Sequence, residues 1–284
     1  MRESGPSRTA YRVALRRASH QILDDPKVLN DPCAIPILGV QAAAELRTNP
    51  RKFQDLASRN IRAFVVARSR FAEDELAHAV ERGAVQYVIL GAGLDTFAYR
   101  NPFPETDLRV FEVDYPATQE WKRRQLLEAK IKIPASVTFV PVDFERETLR
   151  DCLLSSGFDA HKPTFFSWLG VTMYLTEEAV MATLEFIAST ATGGGVVFDY
   201  SVPRSSLGLI GRLAFDALSH RVAAAGEPFR TFFDPRALAE RMTRMGFRSV
   251  ESLDAEEINA RYFRERADGL HVGGKLAQLM SAET

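Results

Sequence analysis

Three residues of this 284-residue chain stand where a nucleoside ligand would need them: Gly91, Gly93 and Asp114. The glycines lie in Leu90-Gly91-Ala92-Gly93-Leu94-Asp95-Thr96, directly after the apolar run Tyr87-Val88-Ile89-Leu90. A Gly-X-Gly turn at a strand end lets backbone approach a ligand closely, since glycine has no side chain to block it and accepts the turn's angles. Asp114 ends a second run, Leu108-Arg109-Val110-Phe111-Glu112-Val113. It falls about twenty residues beyond the glycines, where a nucleoside-binding α/β fold places a carboxylate for ribose hydroxyls. Asp114 could instead cap a helix opening at Pro116; the spacing and the strand-end position favour the ribose role. A dinucleotide loop would carry glycine or alanine three residues after Gly93, but Thr96 stands there, preceded by Asp95. This counts against NAD and leaves other nucleoside cofactors open.

The elements that must hold these residues alternate. A helix over Asn60–Arg82, with Phe64, Ala67, Phe71, Leu76 and Val80 as its apolar stripe, precedes the first strand. Arginines 68 and 70 crowd its middle among acids. Each is open to surface pairing, as Arg70 with Asp74 at i, i+4, or to holding a cofactor's negative end. A helix 116–130 follows the second strand, and its Lys122, Arg123, Arg124 and Lys130 suggest a solvated face. Strands over 137–142 and 164–169, a helix 177–190 capped by Thr176, and a strand 196–200 continue the alternation. Such a β-α rhythm predicts a doubly wound, mostly parallel sheet. Asp234-Pro235 opens a helix to Met245, stopped by Gly246. Strands are expected over 247–253 and near 275–280.

Two segments flank this frame. Residues 1–60 form a helical extension with turns at Asp24-Asp25-Pro26 and Asn30-Asp31-Pro32. Its Arg2, Arg8, Arg12, Arg16 and Arg17 suggest a frayed tail and then a solvated helix face. Residues 203–233, apolar and helical (Leu207, Leu209, Ile210, Leu213, Phe215, Leu218), follow the fifth strand on the ligand side and suggest a lid. A single domain over 1–284 is expected.

Composition narrows the class. Hydrophobic residues make up 46% of the chain, enough for one substantial core, and the formal net charge of −1 suggests neither a nucleic-acid nor a membrane partner. Cys33 and Cys152 stand far apart with no ligand-spaced neighbour, so no metal site is expected and a reduced, cytoplasmic setting fits. No apolar run reaches a membrane span or forms a signal core.

The ordered set of Asn30-Asp31-Pro32, Ala67-Arg68-Ser69-Arg70, the glycine loop, Phe111-Glu112-Val113-Asp114-Tyr115-Pro116, Val142-Asp143-Phe144, Met173-Tyr174-Leu175, Gly226-Glu227-Pro228 and Ala267-Asp268-Gly269-Leu270 resembles the leucine carboxyl methyltransferase family. The likeness is to its bacterial S-adenosylmethionine-dependent branch. The resemblance implies a class I methyltransferase-like (Rossmann-like) α/β fold and S-adenosylmethionine as methyl donor. It further implies that Arg68 holds the cofactor's carboxylate and that Gly91 and Gly93 lie against its methionine and ribose portions. Asp114 would bind the ribose hydroxyls, Asp143 would face the adenine amino group, and Phe144 would lie beside the ring. Many relatives carry a glutamate before the Met-Tyr-Leu stretch, where this chain has Trp168-Leu169-Gly170.

Methyl transfer from a sulfonium depends mainly on positioning, and a carboxylate acceptor, with a pKa of about 4, needs no base at neutral pH. His161 and His220 carry no signal of base catalysis, so no catalytic residue is assigned. O-methylation of a small-molecule or carboxylate acceptor is the expected activity. A nicotinamide-dependent oxidoreductase and a non-catalytic S-adenosylmethionine-binding module are the alternatives.

Overall fold

The computed structural model describes residues 7–103, 106–143, 146–224 and 228–284. Seven strands form one sheet: β1 (Gln86–Leu90), β2 (Arg109–Asp114), β3 (Val137–Pro141), β4 (Thr164–Trp168), β5 (Gly195–Ser201), β6 (Arg248–Leu253) and β7 (Ala277–Glu283). Their spatial order is β3-β2-β1-β4-β5-β7-β6. The first five run parallel, with Val88 of β1 opposite Phe111 of β2 and Phe166 of β4. β7 enters antiparallel between β5 and β6, placing Leu279 opposite Asp199 and Leu253.

Alternate side chains of each strand point to opposite faces, and each face has its own core. Tyr87, Ile89, Val110, Phe165 and Val197 join one cluster, while Val88, Leu90, Phe111, Phe166 and Phe198 join the other. Covered on both sides, β1 and β4 are buried throughout, which is why they read as unbroken apolar runs. Pro141, which cannot donate a ladder bond, ends β3 on a sheet edge.

Nine helices lie among the described residues: α1 (Arg8–Leu23), α2 (Val40–Thr48), α3 (Leu56–Glu81), α4 (Pro116–Glu128), α5 (Leu149–Ser155), α6 (Glu177–Ala188), α7 (Leu209–Ala224), α8 (Pro235–Met245) and α9 (Ala255–Tyr262). Local chemistry sets their ends. Asp234 accepts from the Arg236 and Ala237 amides ahead of α8, and Gly246 closes it with φ 106°. Asp55, accepting from Ser58 N at 3.0 Å, starts α3 four residues earlier than its apolar stripe suggests. The short α5 and α9 were not expected, although Thr148 caps one and an Asp254/Glu257 capping box opens the other.

Two expected solvated faces are corrected. Arg17 is buried: α1 packs against α3, and its guanidinium reaches Leu94 O, Asp31 and Asp95. Lys122 is buried too, with Nζ 2.7 Å from Glu112 Oε2 on β2. In each case a carboxylate distant in sequence compensates the loss of water, so the charge faces inward. Arg124, paired at 3.3 Å with Glu120, stays on the solvated side.

Candidate functional site

The loop leaving β1 turns at two left-handed glycines, Gly91 at φ 67° and Gly93 at φ 43°. L side chains rarely adopt such angles. A Cβ on Gly91 would stand 2.4 Å from Val171 Cγ2, and one on Gly93 would stand 3.0 Å from Ala10 Cβ. The glycines therefore let three pieces converge: the β1 loop, the segment after β4, and the first turn of α1. Neither Val171 nor Ala10 is marked by any sequence signal.

The loop is held from both ends. Asp114 Oδ2 accepts the Gly93 amide at 2.6 Å, and its Oδ1 accepts the Tyr115 amide at 2.7 Å. Asp114 is thus both a clamp across the β1 and β2 ends and a partner of the first turn of α4, whose formal N-cap, Tyr115, makes no side-chain cap bond. Burial pushes its carboxyl above the ordinary range, outweighing the two amides that favour the charged form. Behind the loop, Asp95 accepts from Phe97 N at 2.8 Å. Burial would raise its pKa too, but Arg17 and Lys122 hold it below the usual carboxylate range. Thr96 Oγ1 donates to buried Asp31 at 2.6 Å, so Asn30-Asp31-Pro32 locks the glycine loop from the N-terminal extension.

Asp143 follows β3 at the same end of the sheet, half-buried, with its amide donating to Glu147 at 3.0 Å and its carboxylate 3.7 Å from Arg146. Phe144 lies outside the described residues. Asp114 and Asp143 thus end neighbouring strands, each directed by its own strand–loop junction.

Arg68 arrives from α3. It is buried, and its Nη1 donates to Asp199 Oδ2 at 2.6 Å while Nη2 lies beside Gly170. Gly170 N donates to the other oxygen of Asp199, and Thr172 Oγ1 donates to the Asp199 carbonyl at 2.6 Å. Asp199, fully buried on β5, thus gathers Arg68 and the turn after β4. It went unrecognised in the sequence, where a lone acid inside Val196-Val197-Phe198-Asp199-Tyr200 was the available sign. Arg70 makes the surface pair its spacing suggests, 2.7 Å from Asp74. Leu169, at the position where the resemblance leads one to expect a glutamate, packs against the apolar cluster on the α3 face.

Beyond β4, a 3-10 turn, Thr172–Tyr174, carries Tyr174 toward the segment after α7. Tyr174 and Phe229 have ring centroids 5.6 Å apart, and Phe229 meets Phe215 at 6.5 Å and Phe232 at 6.4 Å. This aromatic group is fastened to the sheet by Arg230 N on Met173 O at 2.8 Å and Phe233 N on Ser201 O at 2.9 Å. Gly226 and Glu227 lie outside the described residues. His161 is exposed before β4, at the opposite end of the strands from these residues. Among the described residues there is no cluster of three metal-ligating side chains, and no helix is long and apolar enough to cross a membrane.

A family model described as leucine carboxyl methyltransferase matches residues 10–188. A Bacillus subtilis protein provisionally named an S-adenosyl-L-methionine-dependent methyltransferase is 33% identical, the match covering 95% of each chain. A Streptomyces coelicolor protein with the same provisional name is 34% identical, covering 78% of this chain and 77% of its own. Among solved structures, a provisionally named methyltransferase from Thermobifida fusca has a TM-score of 0.54 at 16% identity, covering 99% of this chain and 95% of that one. A DUF574 family protein from Streptomyces avermitilis has a TM-score of 0.53 at 16% identity, covering 95% and 96%. At these identities the structural likeness speaks to the fold.

Proposed function

The chain belongs to the leucine carboxyl methyltransferase family, and from that premise we propose that this S-adenosylmethionine-dependent methyltransferase of class I fold methylates an oxygen of a small molecule, a carboxylate foremost. The observation that carries the cofactor half is the meeting of Gly91, Gly93, Asp114 and Arg68 at the carboxyl ends of β1, β2 and β4. Ligands of open α/β sheets bind outside those ends.

The residues fit the donor. A carboxylate oxygen can accept more than one hydrogen bond, so Asp114, while clamping Gly93 and Tyr115, keeps acceptor capacity for ribose hydroxyls. Asp143, one strand over, is assigned to the adenine amino group, and Phe144 to the ring's face. Arg68 is assigned to the cofactor's carboxylate, with Asp199 holding one edge of its guanidinium in place. When bound, S-adenosylmethionine supplies an electrophilic methyl: an acceptor oxygen lone pair forms the O–CH3 bond as the S–CH3 bond breaks, its electron pair staying on sulfur to leave S-adenosylhomocysteine.

The choice of acceptor follows from what surrounds β4. Leu169, Val171 and Met173 are apolar, and Asp199 is committed to Arg68 and Gly170. An ionised carboxylate gives up no proton in the transfer, so this surface suits it. Union of an anion with a sulfonium cancels charge, and apolar walls that exclude water favour such a step. Residues 203–233 serve as the cover that excludes it, in one domain with the rest of the chain.

The test is alkaline lability. Incubating the chain with methyl-labelled S-adenosylmethionine and a metabolite extract should give label that mild alkali releases as volatile methanol, as a methyl ester does. Alkali-stable label would move the acceptor to a hydroxyl or nitrogen. A dinucleotide reading is disfavoured by Thr96, whose buried hydroxyl is bonded to Asp31 at the position such a loop keeps small.

A further inference from the structure

The group formed by Tyr174, Phe215, Phe229 and Phe232 is unusual in its place rather than its composition. All four rings are only partly buried, so water is removed from none of them completely. Tyr174 follows closely on Val171, the residue that abuts Gly91 of the cofactor loop, and the three phenylalanines join it through Phe229. Their supports differ. Phe229 and Phe232 sit in a segment bolted to Met173, Leu175 and Ser201 through Arg230 N, Thr231 Oγ1 and Phe233 N. Phe215 instead rides on α7, whose Leu209 and Leu213 are 77% and 64% exposed. An Arg204–Asp216 pair, 2.8 Å across two hydrogen bonds, also holds that helix from its exposed side. The Phe215 and Phe229 rings are nearly parallel, 24° apart, with centroids at 6.5 Å. That is the wide end of the ~4.5–7 Å range for ring pairs, while Phe215 also meets Phe232 edge-on at 5.5 Å, so the partly exposed ring faces are what a flat group could stack on.

We propose that the acceptor carries a flat aromatic ring, bound among Tyr174, Phe215, Phe229 and Phe232, with a carboxylate as the methylated group. This deepens the methyl-transfer reading and rests on it. Aromatic groups also attract quaternary cations, but the group methylated in the proposed transfer is an anion, and Arg230 lies between Phe229 and Phe232 in the same segment. The transfer is balanced as above, with one carboxylate oxygen gaining the methyl, sulfur keeping the electron pair, and no proton moving.

The test uses the full chain saturated with S-adenosylhomocysteine, whose binding is first read by calorimetry. Ligand-observed NMR then measures 2-naphthoate, its decahydro counterpart and tetramethylammonium. The expected result is at least tenfold tighter binding of 2-naphthoate than of the saturated carboxylate. Phe229→Leu should abolish most of that ratio, Phe229→Tyr should keep it, and both should bind S-adenosylhomocysteine as the parent does. Phe232→Leu should act like Phe229→Leu and guards against a local folding defect in the first variant. Equal binding of the two carboxylates, an unchanged ratio in both leucine variants, or preference for tetramethylammonium overturns the proposal while leaving the methyltransferase reading in place. Failure of S-adenosylhomocysteine to bind overturns both.

Discussion

Replacing Asp114 by asparagine separates the ligand role of this residue from its structural one. The carboxylate accepts the Gly93 and Tyr115 amides with different oxygens. Asparagine keeps one acceptor oxygen and turns an NH2 toward the other amide, which costs about 1 kcal/mol. Against this, burial pushes the Asp114 carboxyl up, so the folded chain is strained by the charge that asparagine removes. The two effects oppose, and the variant should melt within about 4 °C of the parent or above it. Cofactor binding has no such offset. Ribose hydroxyls lose a charged acceptor, worth roughly 1.5–3 kcal/mol, so affinity for S-adenosylhomocysteine should fall on the order of ten- to a hundredfold. A carboxyl with a raised folded pKa contributes stability below its ordinary pKa of about 4 and loses it as pH rises through the folded value. The advantage of asparagine should therefore be greatest near neutrality and shrink as pH falls toward 4. Calorimetry and thermal melts at several pH values supply both numbers. Unchanged affinity with a much lower melting temperature would make Asp114 a loop clamp and helix partner only.

Arg68→Met should cost about 3–5 kcal/mol in urea unfolding, because it leaves Asp199 buried without its ionic partner; a loss below 1 kcal/mol would show the pair to be incidental. Gly91→Ala should destabilise by about 1–3 kcal/mol through overpacking against Val171, and adding Val171→Ala should recover part of it; no recovery would place the strain elsewhere. Asp24 is buried, yet hydrogen bonds to His20 and Arg62 outweigh that burial and hold its carboxyl below the ordinary range. Its stabilisation is present above the ordinary carboxyl pKa and lost as pH falls through the lowered one, so Asp24→Asn should flatten the acid limb of the stability–pH curve; an unchanged limb would contradict the assignment.

What the sequence made legible was local. The strand entering Gly91, the cap at Asp234 with its stop at Gly246, and the Arg70–Asp74 pair each depend on neighbours a few positions away, and each stands as its spacing suggests. The parallel run of the first five strands followed from β-α alternation, whereas the antiparallel entry of β7 did not, because its pairing partners lie far upstream. The inward charges were hidden for the same reason. Arg68 and Asp199 are 131 positions apart, Arg17 and Asp95 are 78 apart, and helical periodicity cannot say that a cation on a polar face has a buried carboxylate waiting. Lys122 shows this within α4, since it looks like its solvated neighbours until β2 supplies Glu112. The glycine loop was read through the ligand it admits; Val171 and Ala10 add a second reason for glycine that only the packed chain reveals.

The loop after β1 and the carboxylate after β2 are assigned to S-adenosylmethionine and not to a dinucleotide. Calorimetric titration of the unmodified chain with S-adenosylhomocysteine and, in parallel, with NAD checks this assignment. Saturable one-to-one binding of S-adenosylhomocysteine and no heat of binding from NAD are expected. Tight NAD binding with no response to S-adenosylhomocysteine would contradict the assignment.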